Sequence, residues 1–182
     1  MKLWIVGKAG CLAALLMVQY SAFAQASGAA TPESARAFVQ GFYNWYTPMS
    51  VRDDPPRPWD FAVKQKRFAF SSELARLLLE DSNAQAHCGE LVGLDFDPFL
   101  FSQDLAQRYE VGEIRQSGRV YRADVYAVDH GNRSRKPDVI AEFTEDNGRW
   151  TFVNFHYLDP NSDLLTILKA RAECTVPRSP SS

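Results

Sequence analysis

The chain has 182 residues, of which 46% are hydrophobic and 23% are charged, and its formal net charge at pH 7 is −2. This is the size of one ordinary domain with its own hydrophobic core, so the sequence does not require a second domain. The slightly acidic balance argues against a nucleic-acid partner, which would need a concentrated basic surface. A short basic cluster at positions 64–67 is better explained as a solvated face than as a phosphate site.

The first 24 residues have the organisation of a secretory signal peptide. Lys2 and Lys8 make the start positive, positions 9–18 are apolar, and the small-residue pattern at 22–24 predicts cleavage after Ala24. The apolar run is too short to span a membrane, so we predict export to the periplasm without stable membrane insertion. Lipidation at Cys11 is the less favoured alternative, because the apolar run would then remain on the mature protein.

Two cysteines, Cys88 and Cys174, follow the predicted cleavage site. An even pair in an exported protein predicts one disulfide, which would tie the C-terminal region to the middle of the chain. In the chain-entropy model, closing such a long loop contributes roughly 4 to 5 kcal/mol. Two unbridged thiols are the alternative.

Small residues fill positions 25–30, which predicts a flexible tether before the folded domain. Thr31 is a suitable helix N-cap and Pro32 suits the first helical position, so a first helix is predicted to start here and to end at Pro48. One face of this helix carries apolar residues at helical spacing: Ala35, Phe38, Val39, Phe42, Tyr43 and Tyr46.

Prolines are dense between positions 48 and 58, so the segment 48–59 is predicted to be a surface loop. The sequence of the segment 61–70 is ambiguous and predicts no particular element. Ser71 and Ser72 provide the cap of a second predicted helix, which should fray near 86–89. Its buried face carries Leu74, Leu77 and Leu78.

The hydrophobic period changes to two in the second half of the chain. Strands are predicted at 109–116, 120–128, 138–144 and 149–157. Gly112 predicts a bulge, and tight turns are predicted at 117–118 and 146–148. Residues 159–163 break the last strand and cap a short C-terminal helix. The order predicts an α+β domain over 31–174, with helices covering one face of a curved antiparallel sheet, followed by a disordered tail at 175–182.

Five motifs together resemble an uncharacterised bacterial domain-of-unknown-function family found in envelope proteins and lipoproteins. They are FVQGFYNWY, FSSELARLLLED, GELVGLDFDPFLFSQD, YEVGEI and DLLTILKA, of which the DFDP run is the most specific. The resemblance covers roughly positions 31 to 170. It implies a fold similar to the nuclear-transport-factor-2-like cone and an envelope location, and it implies no chemistry for any residue.

The stretch GLDFDPFLFSQD at 93–104 places carboxylates among large apolar side chains. Asp95, Asp97 and Asp104 suggest a divalent-cation loop, but the EF-hand pattern fails at Phe99 and Leu100, and three carboxylates do not complete a hard-cation site. The favoured interpretation is structural: Asp97 and Pro98 make a turn, while Phe99 anchors it in the core. We therefore predict a structural loop and no metal.

A proton-transfer site is the alternative function. His156 is the one histidine placed to point into a cavity of a cone-shaped fold, with Asp124, Tyr126 and Glu142 as neighbours on adjoining strands. The sequence has no glycine-rich phosphate loop, no GxSxG, no CxxC and no zinc spacing, so no cofactor is predicted. An isomerase or dehydratase, or a binder of small apolar ligands, would use this candidate cavity.

Aromatic residues crowd positions 42–70 beyond what one helix face can bury. Either the proline-rich loop covers them, or they form an interaction surface that includes Trp45, Tyr46, Trp59 and Phe61. We predict a binding module more readily than an enzyme. Its partner would be another envelope protein, in the manner of an assembly accessory or an immunity protein that blocks an effector.

Overall fold

The computed structural model describes residues 31–51, 57–88, 92–102, 105–158 and 162–170, with only the backbone given for Cys88. The predicted signal peptide, tether, tail, Asp104 and the Cys88–Cys174 disulfide therefore lie outside the described atoms. In the described ranges, no helix is both long enough and apolar enough to cross a membrane.

Helix α1 (Pro32–Ser50) begins where the sequence predicts. Thr31 Oγ1 accepts a hydrogen bond from the Ser34 amide at 3.1 Å, and the Thr31 amide donates to Ser34 Oγ at 3.0 Å. This reciprocal cap satisfies two amide groups at the helix start. The predicted end at Pro48 is wrong, because the helix continues to Ser50. Pro48 lies in the last turn, where its missing amide removes one hydrogen bond without stopping the chain from completing the turn.

Helix α2 (Pro58–Gln65) occupies part of the predicted loop and of the ambiguous segment. Pro58 is its first residue, a position that suits proline, so here proline starts a helix. Lys66 follows in the left-handed conformation, with φ of 53°, and ends it. Helix α3 (Ser72–Cys88) begins at the predicted cap, where Ser71 Oγ accepts a hydrogen bond from the Leu74 amide at 3.3 Å.

The predicted meander is confirmed. The strands are β1 (Arg108–Ser117), β2 (Val120–Asp129), β3 (Asn132–Arg133), β4 (Val139–Asp146) and β5 (Arg149–His156). Their antiparallel order is β1-β2-β4-β5, and the short β3, which was not predicted, pairs with β2. The register of β1 shifts around Gly112, as expected, and Asn147 and Gly148 have the positive φ values of a tight hairpin turn.

The short helix α4 (Leu164–Ala170) follows β5. Asp163 caps it, since the Thr166 amide donates to Asp163 Oδ1 at 3.0 Å. The chain is therefore a mixed α+β protein with an antiparallel sheet, as the sequence predicts.

Aromatic side chains fill the space between α1 and the inner face of the sheet. The rings of Phe42 and Phe152 lie 4.9 Å apart, as do those of Phe99 and Phe155. The largest fully buried rings are Phe42, Tyr43, Tyr46, Phe99, Phe143, Phe152 and Phe155. Because these rings meet one another, the part of the interior that they line is packed core.

Both edges of the sheet have partners from other elements. On β1, Arg36 donates to the carbonyls of Val111 and Gly112 at 2.6 and 2.7 Å, and Gln40 bonds both the Tyr109 carbonyl and the Val111 amide at 2.9 Å. On β5, the segment before α3 pairs with the backbone of Phe152 at 2.8 and 2.9 Å. These contacts occupy edge groups that would otherwise be open to pairing with another strand.

Candidate functional site

The predicted polar residues lie on the outer face of the sheet, away from α1. Ala123, Val125 and Ala141 are fully buried on the inner face. Side chains alternate along a strand, so Asp124 and Glu142 point to the opposite side. The register also places His156 opposite Ile140 and Arg122 opposite Glu142. The predicted cavity residues therefore belong to an outer surface, and not to the aromatic interior.

Glu142 is held between a base and a cation from its two neighbouring strands. Its Oε2 atom lies 2.8 Å from His156 Nε2 and accepts a hydrogen bond from Arg122 Nε at 2.7 Å. The hydrogen bond from His156 and the Arg122 guanidinium lower the pKa of Glu142, although partial burial opposes them. The lowered pKa means that the carboxylate is ionised at neutral pH, and at 15% exposure it is largely covered by its neighbours.

Asp124 forms a second ion pair on the same face. Arg115 of β1 donates to both carboxylate oxygens, at 3.0 and 2.5 Å, in a two-point contact. Asp124 is 8% exposed, while Arg115 is 46% exposed and also contacts Glu113 at 3.2 Å. The hydrogen bonds to Asp124 raise the pKa of Arg115 above its usual value. The guanidinium therefore presents a fixed positive charge to solvent.

Tyr126 has a different environment from the other three predicted residues. The Arg133 guanidinium lies 4.1 Å from the centre of its ring, a cation–π distance. Gly112 lies beside the same ring, and a Cβ atom built on Gly112 would come within 2.4 Å of a Tyr126 ring carbon. The glycine at the bulge is thus what allows the tyrosine to lie flat there. The structure joins Glu142 to His156, whereas Asp124 and Tyr126 contact arginines.

Asp97 is the centre of a buried hydrogen-bond cluster. Its Oδ1 atom accepts bonds from the amides of Phe99 and Leu100 at 2.9 and 3.1 Å, and its Oδ2 atom accepts the Tyr46 hydroxyl at 2.7 Å. Burial raises the pKa of Asp97 from 3.8 to about 6, while these hydrogen bonds lower it. Asp97 therefore bonds the backbone of its own turn, in the manner of a structural carboxylate.

Two more tyrosines hold the same turn. Tyr157 donates its hydroxyl to the Pro98 carbonyl at 2.8 Å, and Tyr43 donates to the Phe99 carbonyl at 3.1 Å. Phe99 is fully buried, whereas Asp95 is exposed. Among the described residues there is no group of three or more His, Cys, Asp or Glu side chains that would suit a metal ion.

The predicted aromatic interaction surface needs correction. Tyr46 is fully buried and Trp59 is 8% exposed, so neither is available to a partner. Tyr46 turns inward to reach Asp97, and Trp59 belongs to the buried face of α2. Trp45 is half-buried against Phe68, with centroids 5.5 Å apart. Phe61, at 36% exposure, is the one clearly exposed member of the predicted set.

Sequence reasoning did not identify the two arginines of the outer face. Alternation along β2 puts Arg122 on the same side as Asp124, but its ion pair with Glu142 depends on the β2–β4 register. Arg115 reaches Asp124 only because the bulge in β1 changes which residues share a face. The alternation of charges in β1 and β2 was the available signal.

No protein-family model matches this chain, and no curated protein matches it significantly. Its structure is similar to a chain in the crystal structure of the type VI effector-immunity complex Tae3-Tai3 from Ralstonia pickettii. The two are 19% identical, with a TM-score of 0.45, over 68% of this chain and 96% of that chain. Similarity at this level assigns neither a family nor a function.

Proposed function

We propose that this chain is a non-catalytic binding module of the bacterial envelope that contacts a partner protein through the outer face of its sheet. The observation that carries the proposal is a set of hydrogen-bonded side chains on this face, namely Arg115–Asp124 and Arg122–Glu142–His156. Each carboxylate is largely covered, while the arginines remain about half exposed. The face therefore presents half-exposed guanidinium groups at defined positions, each held in place by a carboxylate.

Prearranged charges suit recognition of a protein surface. Side chains that are already held in place lose less conformational entropy when a partner binds. Complementary charge also speeds encounter and fixes the register of two surfaces. Tyr126 and Arg133 add an aromatic and a guanidinium group, both of which are enriched in protein interfaces. We infer that the partner contributes acidic side chains to this contact.

The alternative is a proton-transfer enzyme that uses His156 with Glu142. Their 2.8 Å contact is the observation that favours it, because a carboxylate can orient a histidine base. The pair lies on the outer face, and Glu142 is shared with Arg122. An acid–base site usually excludes water within a pocket, so this pair suits recognition better than catalysis. The aromatic interior likewise supports the binding role over a cone-cavity ligand site.

A photo-crosslinking residue at Ser117, which lines the same surface depression as Arg115 and Arg122, tests the proposal. Expressed in the native host, this protein should give one adduct of defined mass with an envelope protein. Arg115→Glu with Arg122→Glu should reduce the adduct at least tenfold, because repulsion replaces attraction at two contact points.

The matched control places the crosslinker at Asn83, an exposed residue of α3. This position should give no such adduct. Equal yields from Ser117 and Asn83, or an adduct insensitive to both charge reversals, would reject the outer face as the contact. Substrate turnover that is lost in His156→Ala would favour the enzyme instead.

We further propose the periplasm as the location, the family resemblance described above as the lineage, and a nuclear-transport-factor-2-like cone as the fold. The leader-like positions 1–24 support the location, and the packing of α1 against one face of an antiparallel sheet supports the cone. Within this role, an assembly accessory and an effector-blocking immunity protein are the two types of module that fit. The identity of the captured partner separates them.

Intact mass of the protein released from the host envelope tests export and the disulfide together. We expect a mass that corresponds to cleavage after Ala24, and two hydrogens fewer than the dithiol form because Cys88 and Cys174 are bridged. Alkylation of both cysteines under denaturing, non-reducing conditions would exclude the bridge. A mass that retains residues 1–24 would exclude cleavage.

A further inference from the structure

A second surface, distinct from the outer face, lies where α2, α3 and the start of β5 meet. It is a groove of about 500 Å³, a volume within the range of roughly 300 to 1,000 Å³ typical of small-molecule sites. We call it the cationic groove. Its lining residues are Val63, Lys64, Lys66, Phe68, Ala69, Phe70, Ala75, Leu79, Arg149 and Thr151.

The floor of the cationic groove is apolar and partly open to solvent. Phe68, Phe70 and Leu79 are half-buried and pack against the core, so one side of each remains accessible. Ala75 of α3 lies among them and leaves space because its side chain is short. Exposed apolar surface in a concave site favours binding of a hydrocarbon group, since binding removes that surface from water.

Positive charge surrounds this apolar floor. Lys66 and Arg149 are exposed, and within the described ranges neither of them forms an ion pair. Lys64 is already paired with Asp60 at 2.7 Å. Two unpaired cations beside apolar side chains are complementary to a ligand that joins an anionic head to a hydrocarbon tail.

The backbone of the groove argues against a peptide as the occupant. The Ala69 carbonyl accepts the Phe152 amide at 2.9 Å, and the Ser71 amide donates to the Phe152 carbonyl at 2.8 Å. These groups are therefore used in pairing with β5. A peptide would bring its own amides and carbonyls into the groove and would lose water without equivalent partners there. An alkyl chain carries no such groups.

We infer that the cationic groove binds a single-chain carboxylate amphiphile. The alkyl chain lies on Phe68, Phe70 and Leu79, and the carboxylate contacts Lys66 and Arg149. This site is independent of the partner contact on the outer face, because the two surfaces share none of the residues that define them.

Calorimetric titration of the full chain with decanoate, below its micelle concentration, tests the site. We expect saturable binding of one decanoate per chain. Lys66→Ala combined with Arg149→Ala should weaken binding about tenfold, because two exposed charge contacts are removed. Ala75→Phe should abolish binding by filling the groove. Both cations are exposed, so the double variant should fold normally even if Ala75→Phe does not.

Decanol and an Arg76→Ala variant provide the controls. Decanol has no charge, so it should bind more weakly than decanoate. Its binding should not change when Lys66 and Arg149 are replaced by alanine. Arg76 is exposed on α3 and paired with Glu80 outside the groove, so its replacement should leave binding unchanged. The inference would be overturned if several decanoates bound per chain, or if decanol bound with equal affinity. It would also be overturned if the Lys66→Ala, Arg149→Ala variant bound decanoate undiminished, or if an acidic peptide bound the groove in place of decanoate.

Discussion

Replacing Asp97 by alanine should lower the free energy of unfolding by about 3 to 5 kcal/mol at pH 5. The substitution removes the acceptor for the Tyr46 hydroxyl and for the amides of Phe99 and Leu100, all within the core. Buried donors left without an acceptor each cost about 1 to 3 kcal/mol, partly offset when the site relaxes. Urea unfolding followed by tryptophan fluorescence measures the change.

Asp95→Ala is the matched control, because Asp95 lies two positions earlier in the same segment but is exposed. This substitution should lower the free energy of unfolding by less than about 1 kcal/mol, as is usual for surface substitutions. Equal losses in the two variants would contradict a structural role that is specific to Asp97. A rise in melting temperature with calcium or magnesium that both variants lose would instead support a metal loop.

The same carboxylate should make stability depend on pH. Burial raises the pKa of Asp97 from 3.8 to about 6, so between these values the folded protein holds a proton that the unfolded chain releases. The stabilising contribution is therefore complete below about pH 4 and is lost as the pH rises through 6. Compared with Asp97→Asn, which does not titrate, the native protein should lose about 2 kcal/mol of relative stability from pH 4 to pH 7. A constant difference would show that Asp97 does not titrate in this range.

Phe42→Ala should cost about 3 to 5 kcal/mol, the range for removing a large buried aromatic side chain. Phe42 is fully buried in the middle of α1, and its ring contacts Phe99 at 5.3 Å and Phe152 at 4.9 Å. Its removal leaves a cavity where α1, the 93–104 loop and the sheet meet, and the packed neighbouring rings limit how far the cavity can close. The same urea titration measures the loss.

Phe61→Ala controls for the chemical change alone, because Phe61 is 36% exposed on α2. It should cost less than about 1 kcal/mol. The loss of stability in Phe42→Leu should lie between the losses in Phe42→Ala and Phe61→Ala, since leucine restores part of the lost volume. A small effect of Phe42→Ala would mean that α1 is not held by the aromatic core.

Local signals in the sequence were sufficient for most of the fold. The Thr31 cap, the bulge at Gly112 and the Asn147-Gly148 turn depend on near neighbours in the chain, and each lies where it was predicted. Proline was harder to interpret, because its effect depends on position within a helix. Pro48 is tolerated in a last turn and Pro58 begins a helix, and neither outcome follows from the residue type alone.

The candidate site depended more on long-range packing. A period of two along β2 puts Asp124 and Ala123 on opposite faces, but the sequence does not show which face a helix will cover. His156 and Glu142 therefore meet as foreseen, while the surface that they form is the outer one. Tyr46 shows both sides of this limit: helical spacing places it on the apolar face of α1, where it is buried, but its hydrogen bond to Asp97, 51 positions away, depends on the tertiary fold.

The side chains that close the β1 edge come from far earlier in the chain. The hydrogen bonds from Arg36 to Val111 and Gly112 span 75 and 76 positions. Because a chain is synthesised from its N-terminus, the residues of α1 are made before the strand that they cover. The folded protein thus carries its own protection against strand-to-strand aggregation at this edge, supplied by residues that precede the segment that needs it.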